Sequence, residues 1–212
     1  MGVFGEAWEE HADRLAVQWR NTVAEEDTVI VAGDISWAMK PEEAIPDLDF
    51  LHELPGKKLL IRGNHDLWWQ KITQLNTMYD DMRFLQNDHV FFDEGVAICG
   101  SQGWGLPGLE DYGQDDEKIL ARELIRLELS FDKAIADRAK DIICVLHFPP
   151  ALTPANSSPF MDLIEKYPVS QVVYGHLHGN QAYHKGIQGF FGNTLYRLIS
   201  SDYLSFRPLL IL

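Results

Sequence analysis

Thr28-Val29-Ile30-Val31-Ala32-Gly33-Asp34 and, thirty positions further on, Lys58-Leu59-Leu60-Ile61-Arg62-Gly63-Asn64-His65-Asp66 decide the fold. Each is a short apolar run that stops at a glycine followed by polar side chains. Runs of this length, bounded in this way, read as buried strands. Residues 41–53 between them read as a helix, with Pro41 near its first turn and Gly56 past its end. Strand, helix and strand over this span make one βαβ unit. Both glycine turns then lie at the same end of neighbouring parallel strands, where open α/β sheets bind their ligands.

The pattern continues outward on both sides. Residues 4–23 read as an amphipathic helix, because Phe4, Trp8, Leu15, Trp19 and Val23 fall near one face. Glu9 and His11, two positions apart, point roughly 200° away from each other on such a helix and read as its solvated face. Residues 64–76 are expected to be helical. Val90-Phe91-Phe92 and Val96-Ala97-Ile98-Cys99 read as a hairpin around Asp93-Glu94-Gly95. A glycine-rich, aromatic stretch from Gly100 to Asp116, with Trp104 and Tyr112, reads as a loop over a site whose rings serve packing. Residues 116–139 follow as a long helix with Leu120, Leu124, Leu127, Phe131 and Ala134 in one stripe. Asp141 to His147 and Gln171 to Tyr174 are two more buried strands. Residues 181–212 alternate apolar and polar between glycine turns and read as antiparallel strands.

The 212 residues suit a single α/β domain. With 46% hydrophobic and 24% charged residues the composition is that of a globular protein. A net charge of -14 removes the basic footprint of a nucleic-acid binder, so no long nucleic acid is expected as a partner. A small phosphorylated substrate remains compatible, because a metal ion inverts the local field. Two cysteines, Cys99 and Cys144, sit in strand-like runs and read as buried free thiols. No run of about 18 apolar residues is present, so no membrane span is expected. Met1 to Glu10 carries no signal pattern, and a cytoplasmic protein is the expectation.

Polar side chains recur where the apolar runs end: Asp34, Asn64, His65, His147, His176 and His178. Glycine precedes three of these positions and permits a sharp turn there. Taken singly, each has an ordinary reading. Gly33-Asp34 makes a turn, Asn64 caps a helix, and His147 is a satisfied strand-end histidine. Gly175-His176-Leu177-His178 is harder to reduce: its histidines share a strand face, or splay in a turn around one ion or two. Six such groups aimed at one sheet rim fit a metal site, which satisfies imidazole, amide and carboxylate together.

In this order the motifs resemble the calcineurin-like metallophosphoesterases, whose pattern is D-x-H, G-D, G-N-H-[DE], a lone H, and G-H-x-H. Here stand Gly33-Asp34, Gly63-Asn64-His65-Asp66, His147 and Gly175-His176-Leu177-His178. Asp34-Ile35-Ser36-Trp37-Ala38-Met39 is similar to a bacterial branch of phosphohydrolases in that superfamily. The resemblance implies an α/β fold, an αββα sandwich. It implies that Asp34 bridges two ions, that Asn64, His147 and His176 complete one metal site, and that His178 ligates the other. It also implies that His65 protonates the leaving oxygen or stabilises charge, while Asp66 orients His65. The mixed nitrogen and oxygen set suits Mn²⁺, Zn²⁺ or Fe. Two ions would present a metal-activated hydroxide in line with the phosphoryl group.

The chain departs from the pattern at one place, since no Asp-x-His occurs in it. By the resemblance, residues 1–212 are a single domain shortened at the N-terminus and lacking the first strand. One ion should then bind firmly and a second weakly, activity should fall, and a strand edge should be left open. Two further readings remain: a degenerate relative that binds metal without useful turnover, and a scaffold that contacts partners through its long acidic helix.

Overall fold

A computed structural model describes residues 5, 8–109, 112–153 and 157–212; Phe4 of the expected first helix lies outside them. The elements run α1 (His11–Thr22), β1 (Thr28–Val31), α2 (Pro41–His52), β2 (Lys57–Leu60), α3 (Ile72–Leu75), β3 (Met82–Phe84), β4 (His89–Asp93), β5 (Val96–Ser101), α4 (Gln114–Ala136), β6 (Asp141–Leu146), α5 (Pro159–Ile164), β7 (Val169–Tyr174), β8 (Gly189–Phe191) and β9 (Thr194–Leu198). Among the described residues no helix is long and apolar enough to cross a membrane.

Two sheets form. One is parallel, in the order β1-β2-β3; the other runs β4-β5-β6-β7-β9-β8. Alternation along the strands explains how they stack. Leu59 and Ile61 meet Ile98, Ile143, Val145 and Val173 in an apolar layer between the sheets. The intervening residues face outward. Leu60 packs with Ala16, Trp19, Ala44 and Leu48 of α1 and α2, and Ile142, Cys144 and Leu146 pack with Leu120, Leu127 and Phe131 of α4. Helices therefore cover both outer faces, which makes the αββα sandwich. Strands buried on both faces need continuous apolar runs, and β2 and β6 supply them. Both cysteines are free and buried, side by side across β5 and β6.

β1 differs from the other strands. All four of its residues, three of them apolar, are only half-buried, and among the described residues β2 is its one strand neighbour. The four also line a cleft of about 1030 Å³, together with Trp8, Trp19, Ile143 and Leu210.

Four expectations change. Residues 64–76 are not one helix; only Ile72–Leu75 is helical. The physical reason is Asp66, whose side chain draws the preceding backbone into a loop, as Asp does when it competes with helical bonding. Among residues 181–212 only β8 and β9 are strands; they pair antiparallel, but β9 lies parallel to β7. β3 and α5 are additional elements. The N-terminal helix begins at His11, whose Nδ1 lies 3.0 Å from the Trp8 carbonyl.

Candidate metal centre

The site is built from four strand ends on the two sheets. After β1 the chain turns through Gly33 at φ 93° and Asp34 at φ 53°; after β7 it turns through His176 at φ 69°. Left-handed backbone at Asp34 and His176 is unusual for residues with a Cβ, and such conformations gather at functional sites. The turn after β2 packs against the turn after β1 with no space to spare. A Cβ on Gly63 would lie 2.1 Å from the Asp34 nitrogen, and one on Gly33 would lie 2.7 Å from the Gly63 Cα. Glycine is required at both positions by this close approach.

The turns gather Asp34, Asn64, His147 and His176. His147 Nδ1 donates to the Ala32 carbonyl at 2.8 Å, so the neutral ring keeps its lone pair on Nε2. That atom lies 2.8 Å from Asn64 Oδ1 and 3.5 Å from Asp34 Oδ2. His176 Nδ1 is 3.1 Å from the same Asn64 oxygen and 3.2 Å from His147 Nε2. One donor atom each from Asp34, His147 and His176 fall within 4.8 Å of one another. Burial pushes His147 down to about 4, against the opposing pull of the Ala32 carbonyl. Burial also pushes His176 down to about 3, helped by the neighbouring His147. Both rings are thus neutral near pH 7, the form a metal ligand requires. Lone pairs from an imidazole, an amide and a carboxylate converge here, and a cation relieves their mutual repulsion. The residues fit a divalent metal.

His178 sits apart from this group. Its Nδ1 is 2.9 Å from Asp202 Oδ1, and its ring meets Trp8 edge-on at 5.1 Å. It belongs to no cluster of three potential ligands among the described residues. Asp202 also accepts from the Gly179 nitrogen at 2.9 Å. Burial alone would raise the Asp202 carboxyl, but its bonds from His178, Gly179 and Tyr183 outweigh this and hold it down at about 2.

His65 is exposed, and its backbone nitrogen donates to Asp34 Oδ1 at 2.9 Å. The expected Asp66–His65 pairing takes a different form. Asp66 is fully buried and accepts from Ile35 N at 2.9 Å, Ser36 N at 3.0 Å, Gly63 N at 2.7 Å and Trp68 Nε1 at 3.0 Å. It therefore staples the turn after β1 to the turn after β2. Burial pushes it up to about 6, although the Ser36 and Gly63 donors pull the other way. The ring lying on His65 is Trp37, stacked at 4.5 Å and 22°. Phe148 covers His176 at 4.1 Å, and Trp104 backs Phe148 at 5.2 Å. Trp104 also donates to Asp116 at 2.9 Å, so its role is packing, as is that of Tyr112 against the core.

Asp202, Phe148 and Trp8 were not singled out by sequence as site residues. Asp202 follows Ser200-Ser201 in a polar stretch far along the chain from His178, where only folding brings the two together. Phe148, adjacent to His147, carried a usable signal: an aromatic beside a strand-end histidine.

A sandwich with this strand-end constellation is the scaffold of a candidate metal-binding site. The chain belongs to the calcineurin-like phosphoesterases, whose family model matches residues 7–180. The Gene 66 protein of Mycobacterium phage L5 is similar over a shorter stretch, 43% identical across 58 residues. That match spans 27% of this chain and 28% of the phage protein. The crystal structure of phosphopantetheinyl hydrolase from Mycobacterium tuberculosis shares the fold, with a TM-score of 0.51 at 19% identity. The similarity covers 90% of this chain and 89% of that one.

Proposed function

We propose that this chain is a metal-dependent phosphoesterase that hydrolyses small phosphomonoesters or phosphodiesters. The observation that carries the reading is the convergence of Asp34, Asn64, His147 and His176, with His147 Nε2 2.8 Å from Asn64 Oδ1 and 3.2 Å from His176 Nδ1. Mn²⁺, Zn²⁺ or Fe suits this donor set. When bound, the ion supplies Lewis-acid polarisation of the phosphoryl oxygens and activation of water.

The chain's own residues do the rest. Ala32 fixes the tautomer of His147, and Phe148 fixes the plane of His176. The turn at Gly63 places His65 beside Asp34. The water oxygen bonds to phosphorus, and the P–O bond to the alcohol breaks with its electron pair on the leaving oxygen. That oxygen takes a proton from a ring nitrogen of His65. The proton lost by water reaches bulk solvent, and His65 is reloaded from there.

One observation favours a second reading, a metal-binding relative with little turnover. Among the described residues His178 lies outside the cluster of Asp34, His147 and His176. Mn²⁺-dependent hydrolysis of bis-p-nitrophenyl phosphate, with His176→Ala as control, separates the two. A rate clearly above the control supports the enzyme; equal rates favour the degenerate relative.

A further inference from the structure

The loop after β1 is held more firmly than a connection needs to be. Asp66 fixes Ile35 and Ser36. The Ser36 hydroxyl donates to Asp47 and accepts from Ala38 N at 3.2 Å. Met39 N donates to Glu43 at 3.2 Å. This bracing presents Trp37 flat on the His65 ring while leaving it 41% exposed. Met39 on the same loop is 65% exposed, and Leu67, two positions past His65, is 52% exposed. Single exposed apolar side chains are ordinary. Three of them on two stapled loops, one stacked on the imidazole beside the metal cluster, are not accounted for by core packing. Trp37 also lines the cleft that contains Asp34, His147 and His176, which places an aromatic surface within the same concavity as the ligands.

We propose that Trp37 positions His65 and forms the apolar side of the site that receives the leaving group, so that the substrates are phosphoesters of aromatic or similarly flat apolar alcohols. The inference rests on the phosphoesterase reading above. His65 is the group placed to protonate the leaving oxygen, so whatever is attached to that oxygen lies over the surface beside His65. A small polar alcohol gains nothing from an indole there. A flat apolar one gains stacking and buried area.

The test compares phenylphosphonate with methylphosphonate, neither of which can be hydrolysed at the P–C bond, in the presence of Mn²⁺. The chain should bind the phenyl compound roughly three- to tenfold more tightly, the ratio to which aromatic-pair energies correspond. Trp37→Ala should bring that ratio close to one, while Trp37→Phe, which keeps a flat ring, should retain most of it. Metal-free proton NMR checks the stacking itself. The His65 ring protons should lie upfield through the indole ring current and move downfield in Trp37→Ala. An unchanged ratio in Trp37→Ala, no preference in the parent chain, or no binding of either phosphonate overturns the proposal. Bis-p-nitrophenyl phosphate turnover is read separately. Absent turnover with a Trp37-dependent phenyl preference removes the hydrolase reading and leaves the stacking role standing. Turnover with a Trp37-independent ratio does the reverse.

Discussion

Asp202 holds His178 by its Nδ1 at 2.9 Å and at the same time receives the Gly179 nitrogen. One carboxylate, its side chain 3% exposed, thus fixes both the ring and the backbone of the Gly175–Gly179 turn. Removing it takes the charged acceptor from a partly buried ring and from an exposed backbone nitrogen. Asp202→Ala should cost about 1.5–3 kcal/mol, the range for hydrogen bonds to a charged group. Thermal melting checks this: a loss of several degrees is expected for a chain of this size. An unchanged midpoint would show that the turn does not depend on the carboxylate.

Gly63→Ala should be far more damaging than its chemistry suggests. The new methyl would meet the Asp34 backbone nitrogen at 2.1 Å and Oδ1 at 2.2 Å, and neither loop can withdraw while Asp66 staples them. The expected cost exceeds the usual ~1–3 kcal/mol of overpacking, with Mn²⁺ affinity lost in parallel. Gly113→Ala is the comparison, since among the described residues its Cβ would meet only Asp116 Oδ2 at 3.8 Å. Urea denaturation of the two variants should separate them clearly.

Lys58 is buried, its side chain 1% exposed, with Nζ 2.6 Å from Asp81 Oδ2. Burial alone would raise the Asp81 carboxyl, but the bonds from Lys58 and His52 outweigh it and hold it below the usual carboxylate value. A depressed folded-state value gives stability that is present above the unfolded carboxylate range and lost as pH falls through the folded one. Acid melting curves should therefore show a loss below about pH 4 that Asp81→Asn lacks. At neutral pH Asp81→Asn should cost about 2 kcal/mol, less than a fully buried pair because Asp81 remains partly exposed. If the acid slopes of parent and variant coincide, the pair contributes nothing to the pH dependence.

Metal should stabilise the folded chain. At a hundredfold excess of free Mn²⁺ over its dissociation constant, linkage predicts about 2.7 kcal/mol. Melting with Mn²⁺ and with chelator should differ by several degrees in the parent, and the difference should vanish in His176→Ala. A shift of equal size in both would place the ion elsewhere.

The side of β1 that no described strand pairs makes a constructive prediction. Its four half-buried residues line the 1030 Å³ cleft, so an extended apolar segment ending in Asp-x-His, fused ahead of residue 1, should pair there. We expect a higher melting temperature and a second bound ion near His178. Equal melting temperatures in the two chains would refute the pairing.

Much of the fold was legible because the sandwich needs strands buried on both faces, and such strands carry long apolar runs. β2, β6 and β7 are examples, and the glycine turns marked where Asp34 and Asn64 emerge. Other elements gave no such signal. Met82-Arg83-Phe84 is three residues with a charge in the middle, and only pairing with β2 makes it a strand. The 64–76 region carried helical spacing, but Asp66 spends its side chain on the neighbouring backbone, which periodicity does not register. Alternation around β8 and β9 revealed a hairpin and could not reveal that β9 would lie parallel to β7. In the site, residues that follow strands were found, whereas residues that hold them from afar, such as Asp202 on His178, were not. Asp66 was found and its partners were not.

The bond from His147 to the Ala32 carbonyl spans 115 positions and joins the two sheets. Asp34 and Asn64 hang from one sheet, His147 and His176 from the other. An ion drawn to all four works as a clasp: it can be held only while both leaves of the sandwich are shut. Slow amide exchange in β1 and β6 should then appear together when the ion arrives and vanish together when it leaves, so that opening of the leaves and escape of the ion are one event with a single rate.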